Sequence, residues 1–326
     1  MRSNSEFHSI DHLFSSIVED VGNRVPDSPT ERWKDVPSRN GDTIEMLGFS
    51  ARFTPNRHNV FLRDECRRLS PRYACAELLW YLFGDNRVEM IAHYAPQYKK
   101  FAEEEYLVFG GYPERLYLLG DGLRNLQDAL ADDPNSRRAV LSAWERSDLW
   151  MADKKDLPCT LSLQFLVRGG SLHCVTTMRS NDIWLGLPYD IFAFTFVQRM
   201  LAATMGLKVG SYTHQAGSLH VYKKDYEKLH YTKPDRESGD DNTHQSISLY
   251  EQTNCISFFK VLEGMLRRGE LSNADVISEV KQHQPEVCFL RDLILGLCLH
   301  PVESDYFFPG LAKGVTRVCS SSKAAT

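Results

Sequence analysis

Apolar residues recur at helical spacing through residues 9–21 (SIDHLFSSIVEDV), with Asp11 near the start, and predict an amphipathic helix. A polar stretch carrying Pro26, Pro29 and Pro37 follows and reads as a loop. The run SPRYACAELLWYLFG (70–84) opens on Ser-Pro, a cap with a first-turn proline, and closes on Gly84, so it predicts a mostly buried helix. From Thr160 to Met178, TLSLQFLV and SLHCVTTM flank the glycine turn RGG and predict a β-hairpin. Residues 191–205 (IFAFTFVQRMLAATM) hold too few polar positions for a surface helix. They predict a helix buried on most sides, ending at Gly206, and place the hydrophobic centre there. Residues 232–246 are polar and read as a loop. Helical stretches are expected near 248–268 and 272–282, ahead of an apolar segment around 288–300.

Composition narrows the class of function. A chain of 326 residues with 42% hydrophobic residues buries a sizeable core as one large domain or one domain with an appendage. Its formal net charge of −5 gives no basic excess for nucleic acid, so a small ligand is expected. No apolar run approaches the roughly 20 residues that span a bilayer, and MRSNSEFHSIDH lacks a signal-peptide core; no membrane partner and a cytoplasmic location are expected. The eight cysteines form no C-x-x-C pair, and His214 and His220 do not stand at zinc-finger spacing, so reduced thiols and no structural metal are expected.

Several residues carry candidate chemistry. Cys159 in LPCT follows a proline at the mouth of a predicted strand; a buried inert thiol is the simpler account, and a nucleophile needs nearby cations to lower its pKa. NSRRAV (135–140) and MRSND (178–182) set arginines among small hydrogen-bonding residues, where guanidinium forks suit phosphate and solvated surface charge is the alternative. Glu77 has Tyr73, Trp80 and Tyr81 at i−4, i+3 and i+4, an aromatic face whose burial would raise its pKa. In GSLHVY (217–222), His220 and Tyr222 share one side of a strand. Asp190, in LGLPYDIFAF, precedes the predicted helix as a candidate N-cap or as a reader of substrate.

Taken in order, Glu77 in AELLWYLFGD, SRR at 136–138, Cys159 in PCT, QF at 164–165, RSND at 179–182, GLP at 186–188 and GSLHVY resemble the thymidylate synthase family. The resemblance is clearest over 39–225. It implies a single α+β domain spanning 1–326, with a divergent, largely helical part over 242–326. A bent mixed β-sheet packed with helices and a sheet-to-sheet homodimer are implied too, as is one-carbon transfer from 5,10-methylenetetrahydrofolate to C5 of a pyrimidine nucleoside monophosphate. Within the resemblance Cys159 is the nucleophile that adds to C6, and Glu77 the acid that relays protons at the C4 substituent. Arg179 and Ser180 match phosphate ligands of the same subunit, Arg137 and Arg138 those given across the dimer, and Arg39 a further phosphate arginine. Gln164 joins the nucleotide-binding set, and His220 and Tyr222 match the pair at the sugar 3′-hydroxyl. Asp182, Gly186 and Tyr98 fall on the folate side.

Departures from the family pattern point to a particular branch. Asp190 stands where the synthases carry an Asn that donates to O4 and accepts from N3–H of uracil; a carboxyl group suits cytosine instead, whose N4 donates and whose N3 is bare. Thr160 replaces a usual His, which looks more like the deoxycytidylate hydroxymethylases. Tyr98 and Phe101 stand in place of two Trp, and Phe109 in place of a Tyr near the nucleophile, while the C-terminus lacks the usual folate-closing tail. The expectation is C5 hydroxymethylation of CMP or dCMP, with tetrahydrofolate released. A C5-methylating relative acting on dCMP or dUMP and a noncatalytic nucleotide-binding protein are the alternatives.

Overall fold

The structure, a computed structural model, describes residues 5–26, 28, 31–56, 60–62, 67, 69–103, 106–229, 249–283 and 289–298. The chain runs β1 (Ser5–Glu6), α1 (Ile10–Gly22), β2 (Trp33–Val36), β3 (Thr43–Phe53), α2 (Pro71–Phe83), α3 (Val88–Tyr94), α4 (Tyr112–Leu116) and α5 (Leu123–Asp132). It continues through β4 (Val140–Ser142), β5 (Thr160–Arg168), β6 (Ser171–Asp182), α6 (Leu187–Thr204), β7 (Lys208–Tyr222), α7 (Lys223–Leu229), α8 (Leu249–Arg267), α9 (Asn273–His283) and α10 (Phe289–Leu297). This is an α+β arrangement around one mixed sheet of seven strands, ordered β1-β3-β7-β6-β5-β4, with β2 also on β3.

Local chemistry sets the element ends. Ser70 Oγ accepts the Tyr73 N–H at 3.1 Å to cap α2, and Ser9 Oγ caps α1 from His12 N–H at 3.0 Å. The hairpin joining β5 to β6 turns on Gly169 and Gly170, whose φ values of 55° and 75° lie in the left-handed region that a tight two-residue hairpin turn needs. β6 then runs parallel to β7, and such a pair needs a crossover; α6 supplies it. Ile191, Phe192, Phe194, Val197, Met200 and Leu201 on α6 are all buried, each adding roughly 1.5–3 kcal/mol of hydrophobic stabilisation. The one long polar side chain deep in this helix, Gln198, donates from Nε2 to the carbonyls of Leu172 (2.8 Å) and Gly210 (3.1 Å), tying α6 to β6 and β7.

Two sequence expectations change here. The proline-marked polar stretch is not all loop: Trp33 is buried and its indole N–H bonds Asp20 Oδ2 at 3.0 Å, so Trp33–Val36 becomes a strand on β3 before Pro37 ends it. Helix α6 starts at Leu187, four residues before the predicted start, because Pro188 is accommodated in its first turn. Asp190 therefore lies inside the helix, and Gly186 occupies the cap without any side-chain cap bond. In the tail, α8 and α9 match the expected stretches, and α10 packs on α2, the helix that carries Glu77. The expected loop at 232–246 and the final segment from 299 onward lie outside the described residues. No helix among the described residues is long and apolar enough to cross a membrane.

Candidate active site

One cavity of about 1440 Å³ gathers α2, the 95–111 segment, the loop before β5, the end of β6, the start of α6 and the end of β7. A single small ligand takes roughly 300–1,000 Å³, so this space admits two ligands side by side. Cys159, Glu77, Asp190, Arg39, Arg179, Ser180, His220, Tyr222, Tyr98, Asp182 and Gly186 all line it.

The loop carrying Cys159 is held from β6. Arg179 N–H donates to the Cys159 carbonyl at 2.8 Å, and its guanidinium donates to the carbonyls of Pro158 (2.9 Å) and Leu157 (3.0 Å). Burial pushes the Cys159 thiol up to about 11; Arg179 opposes that rise, while Asp190, Asp156 and Asp182 add to it. Directly after it, Thr160 donates both its N–H and its hydroxyl to the Tyr112 phenol oxygen, each at 2.9 Å. The sequence reading missed Tyr112 and set Phe109 beside the nucleophile instead. Phe109 turns toward Arg115 and Lys154, and the Tyr112 ring, three residues on, lines the cavity. The available signal was the Gly110-Gly111 pair: a Cβ on Gly110 would lie 2.8 Å from Asp156 Oδ2, so only glycine lets the chain pass there.

Glu77 is 6% exposed and surrounded by phenols. Tyr73 and Tyr98 donate to its Oε1 at 2.5 and 2.6 Å. Burial raises its pKa, and the hydrogen bonds from Tyr73, Tyr98 and Tyr81 limit the rise by favouring the carboxylate. A group balanced in this way can pass a proton in either direction.

Asp190 Oδ2 accepts from Asn181 Nδ2 at 2.7 Å, Asn181 Oδ1 lies 2.9 Å from His214 Nε2, and His214 Nδ1 lies 2.9 Å from the Tyr212 hydroxyl. Burial pushes His214 down to about 3, so its imidazole is neutral at any working pH. Asp190 itself is pushed up to about 8, first by burial and then by the nearby Glu77 carboxylate, with the Asn181 bond pulling the other way. Asn181, the buried member of RSND, was not singled out from the sequence.

At the other end of the cavity, Arg39 donates to the Lys155 carbonyl at 3.3 Å, Ser180 Oγ lies 3.4 Å from His220 Nδ1, and the His220 and Tyr222 rings meet edge to face. Arg137 and Arg138 are exposed and do not line this cavity. Contrary to expectation, Gln164 does not line it within this chain either: its amide donates to the Arg137 carbonyl at 2.8 Å, because β5 turns that side chain toward the arginine segment. Asp156 is the acidic residue the sequence reading passed over; burial pushes it up to about 6 against the pull of Arg179, Arg115 and Arg39. Asp182 Oδ1 accepts the N–H groups of Trp184 (2.7 Å) and Leu185 (2.9 Å), while its buried Oδ2 has no hydrogen-bond partner among the described residues. That free acceptor suits the N–H edge of a pterin ring, so the residues present fit a folate.

A half-buried thiol beside Arg179, with the carboxyl groups of Glu77 and Asp190 in the same two-ligand cavity, is an arrangement suited to nucleophilic chemistry on a small anionic substrate. Residues 20–241 match the model of the thymidylate synthase family, and the chain belongs to that family. Its chemistry is folate-dependent one-carbon transfer to C5 of a pyrimidine nucleotide, with methylenetetrahydrofolate as donor. The fold is similar to that of the thermostable thymidylate synthase A from Bacillus subtilis, at 23% identity and a TM-score of 0.55, over 71% of this chain and 86% of that one.

Proposed function

We propose that this protein hydroxymethylates C5 of a cytidine monophosphate nucleotide, CMP or dCMP, releasing tetrahydrofolate. The observation that carries this reading is Asp190: a carboxyl group at the base-reading position, pushed up to about 8 and so able to hold a proton at neutral pH. A protonated carboxyl group donates to N3 and accepts from N4–H, the pattern of cytosine and not of uracil. Arg39, Arg179 and Ser180 hold the phosphate, and His220 with Tyr222 the sugar. Cys159 adds to C6 and makes C5 a carbon nucleophile; Glu77 moves the proton at the C4 substituent. Bound methylenetetrahydrofolate supplies the one-carbon unit at the oxidation level of formaldehyde. The wall beside Glu77 carries the Tyr98 hydroxyl, which makes it more polar than an all-carbon shield and favours water over hydride as the final nucleophile. Phe109 does not line the cavity, whereas Tyr98 and Phe101 do. Incubation with CMP, dCMP, UMP and dUMP, with nucleotide and folate products identified, is expected to give a hydroxymethyl cytidylate and tetrahydrofolate. A methylated nucleotide with dihydrofolate would refute the reading.

We further propose a homodimer that shares its active sites. Gln164, Leu166, Val175, Thr177, Thr213 and Gln215 are half-buried at alternate sheet positions, and the exposed Arg137 and Arg138 adjoin them through the Gln164 bond. Mixing an inactive Arg138→Ala chain with an inactive Cys159→Ala chain is expected to restore activity, since each heterodimer holds one site with both groups intact. Heterodimers that form and remain inactive would exclude shared sites.

A further inference from the structure

Asp156 stands three residues before the nucleophile, in the same loop, and lines the same cavity. Its Oδ2 rests against the Gly110 backbone, where any side chain would displace it. Among the described residues it forms no ion pair within 4 Å, although Arg179, Arg115, Arg39 and Glu103 all act on it at longer range. It acts in turn on the Cys159 thiol and on the Tyr98 phenol, the phenol that donates to Glu77. Asp156 therefore shares one cavity with Cys159, the group that meets C6 in the reading above, and with Glu77, the group of the C4 substituent.

We propose that Asp156 is the general base that takes a proton from the water adding to the one-carbon unit on C5. The inference rests on the hydroxymethylase reading above. In the step, a water oxygen bonds to the exocyclic methylene carbon and the water O–H breaks toward the Asp156 carboxylate. The C5-methylene π pair moves to form C5=C6, and the C6–S bond breaks with its pair returning to Cys159 as thiolate. No electrons are gained or lost, and the Asp156 proton leaves to solvent. Burial makes Asp156 a stronger base than a free aspartate, as a group removing a proton from water requires, while Arg179, Arg115 and Arg39 hold it to about 6, so that it is still ionised at neutral pH.

The test uses the full chain as wild type, Asp156→Asn and Asp156→Ala. Exchange of tritium from C5 of labelled cytidylate without folate reports Cys159 addition alone and is expected to stay within about threefold in both variants. Hydroxymethyl nucleotide formation with folate is expected to fall roughly 100-fold or more, with the one-carbon nucleotide adduct accumulating on Cys159 by protein mass. Formate is expected to restore at least about tenfold in Asp156→Ala, where the side chain leaves room for it. In the wild type, the ratio of product formed to tritium released should decline below about pH 6, a readout that requires no variant. A variant that keeps exchange and forms product within threefold of wild type, or that gives no adduct and no formate response, overturns the proposal. So does a wild-type ratio that is flat with pH. A wild type yielding a methyl nucleotide and dihydrofolate instead fails at the hydroxymethylase reading, before any variant is made.

Discussion

Replacing Cys159 with serine is expected to lower turnover by roughly four orders of magnitude or more while leaving nucleotide affinity within about threefold. The substitution keeps the shape of the loop, because Arg179 holds it through the carbonyls of residues 157, 158 and 159 and not through the sulfur. Among the described residues it removes the only thiol lining the cavity and leaves a hydroxyl with no imidazole bonded to it to take its proton. Tritium release from C5 measures the same step without the later chemistry and should disappear with turnover; release that persists would assign the addition to another group. The unliganded thiol is also expected to be sluggish. With Cys159 pushed up to about 11, only about one molecule in 10⁴ carries thiolate at pH 7, so iodoacetamide alkylation should rise about tenfold per pH unit from pH 7 to 10.

The second large effect is expected at Asp190. Asp190→Asn should move relative kcat/KM from cytidylate toward uridylate by about tenfold or more, since about 1.4 kcal/mol suffices for a factor of ten. Asn181 Nδ2 already donates to one oxygen of residue 190. An amide whose oxygen stays in that bond turns its nitrogen outward as a donor, which matches O4 of uracil and opposes the N4 amino group of cytosine. Parallel kinetics on the four nucleotides check this; an unchanged base preference would detach Asp190 from base reading. Stability gives a separate readout. An Asp raised to about 8 in the folded state, against about 3.9 unfolded, binds its proton longer when native. Its stabilising contribution is complete below about pH 4 and is lost as pH rises toward 8. The Asn variant carries no such titration and should be relatively more stable at pH 8 than at pH 5, by thermal melts at both. A helix cap would give no such dependence on burial, because Asn caps a helix as well as Asp, and α6 has no side-chain cap for this residue to supply.

The nucleophile loop shows how local and long-range information divide. Pro158 and Cys159 announce themselves by type and order, and Arg179 by its company in RSND. That Arg179 donates to three backbone carbonyls of the loop depends on β5 and β6 pairing in register, which no short stretch contains. Tyr112 takes the place that the sequence pattern gives to Phe109, because the Gly110-Gly111 turn shifts which ring reaches the cavity.

By itself the sequence determined what repeats along the chain or depends on immediate neighbours. It set the helices of 9–21 and 70–84 with their serine caps, the glycine-turned hairpin, and the buried character of the segment that became α6. It also set the order of chemical groups by which the family is recognised. Each of these follows from side-chain period or from a hydrogen bond within one turn. The tertiary structure decided what depends on approach across sequence. Asp190 became an interior residue of α6 bonded to Asn181, which His214 meets in turn, Glu77 acquired the Tyr98 phenol from 21 residues away, and Asp156 came to rest against Gly110. Proton affinities were decided there too. A carboxyl group has nearly the same pKa in any extended chain, and only burial and charges brought together by folding move Asp190 to about 8 and Asp156 to about 6.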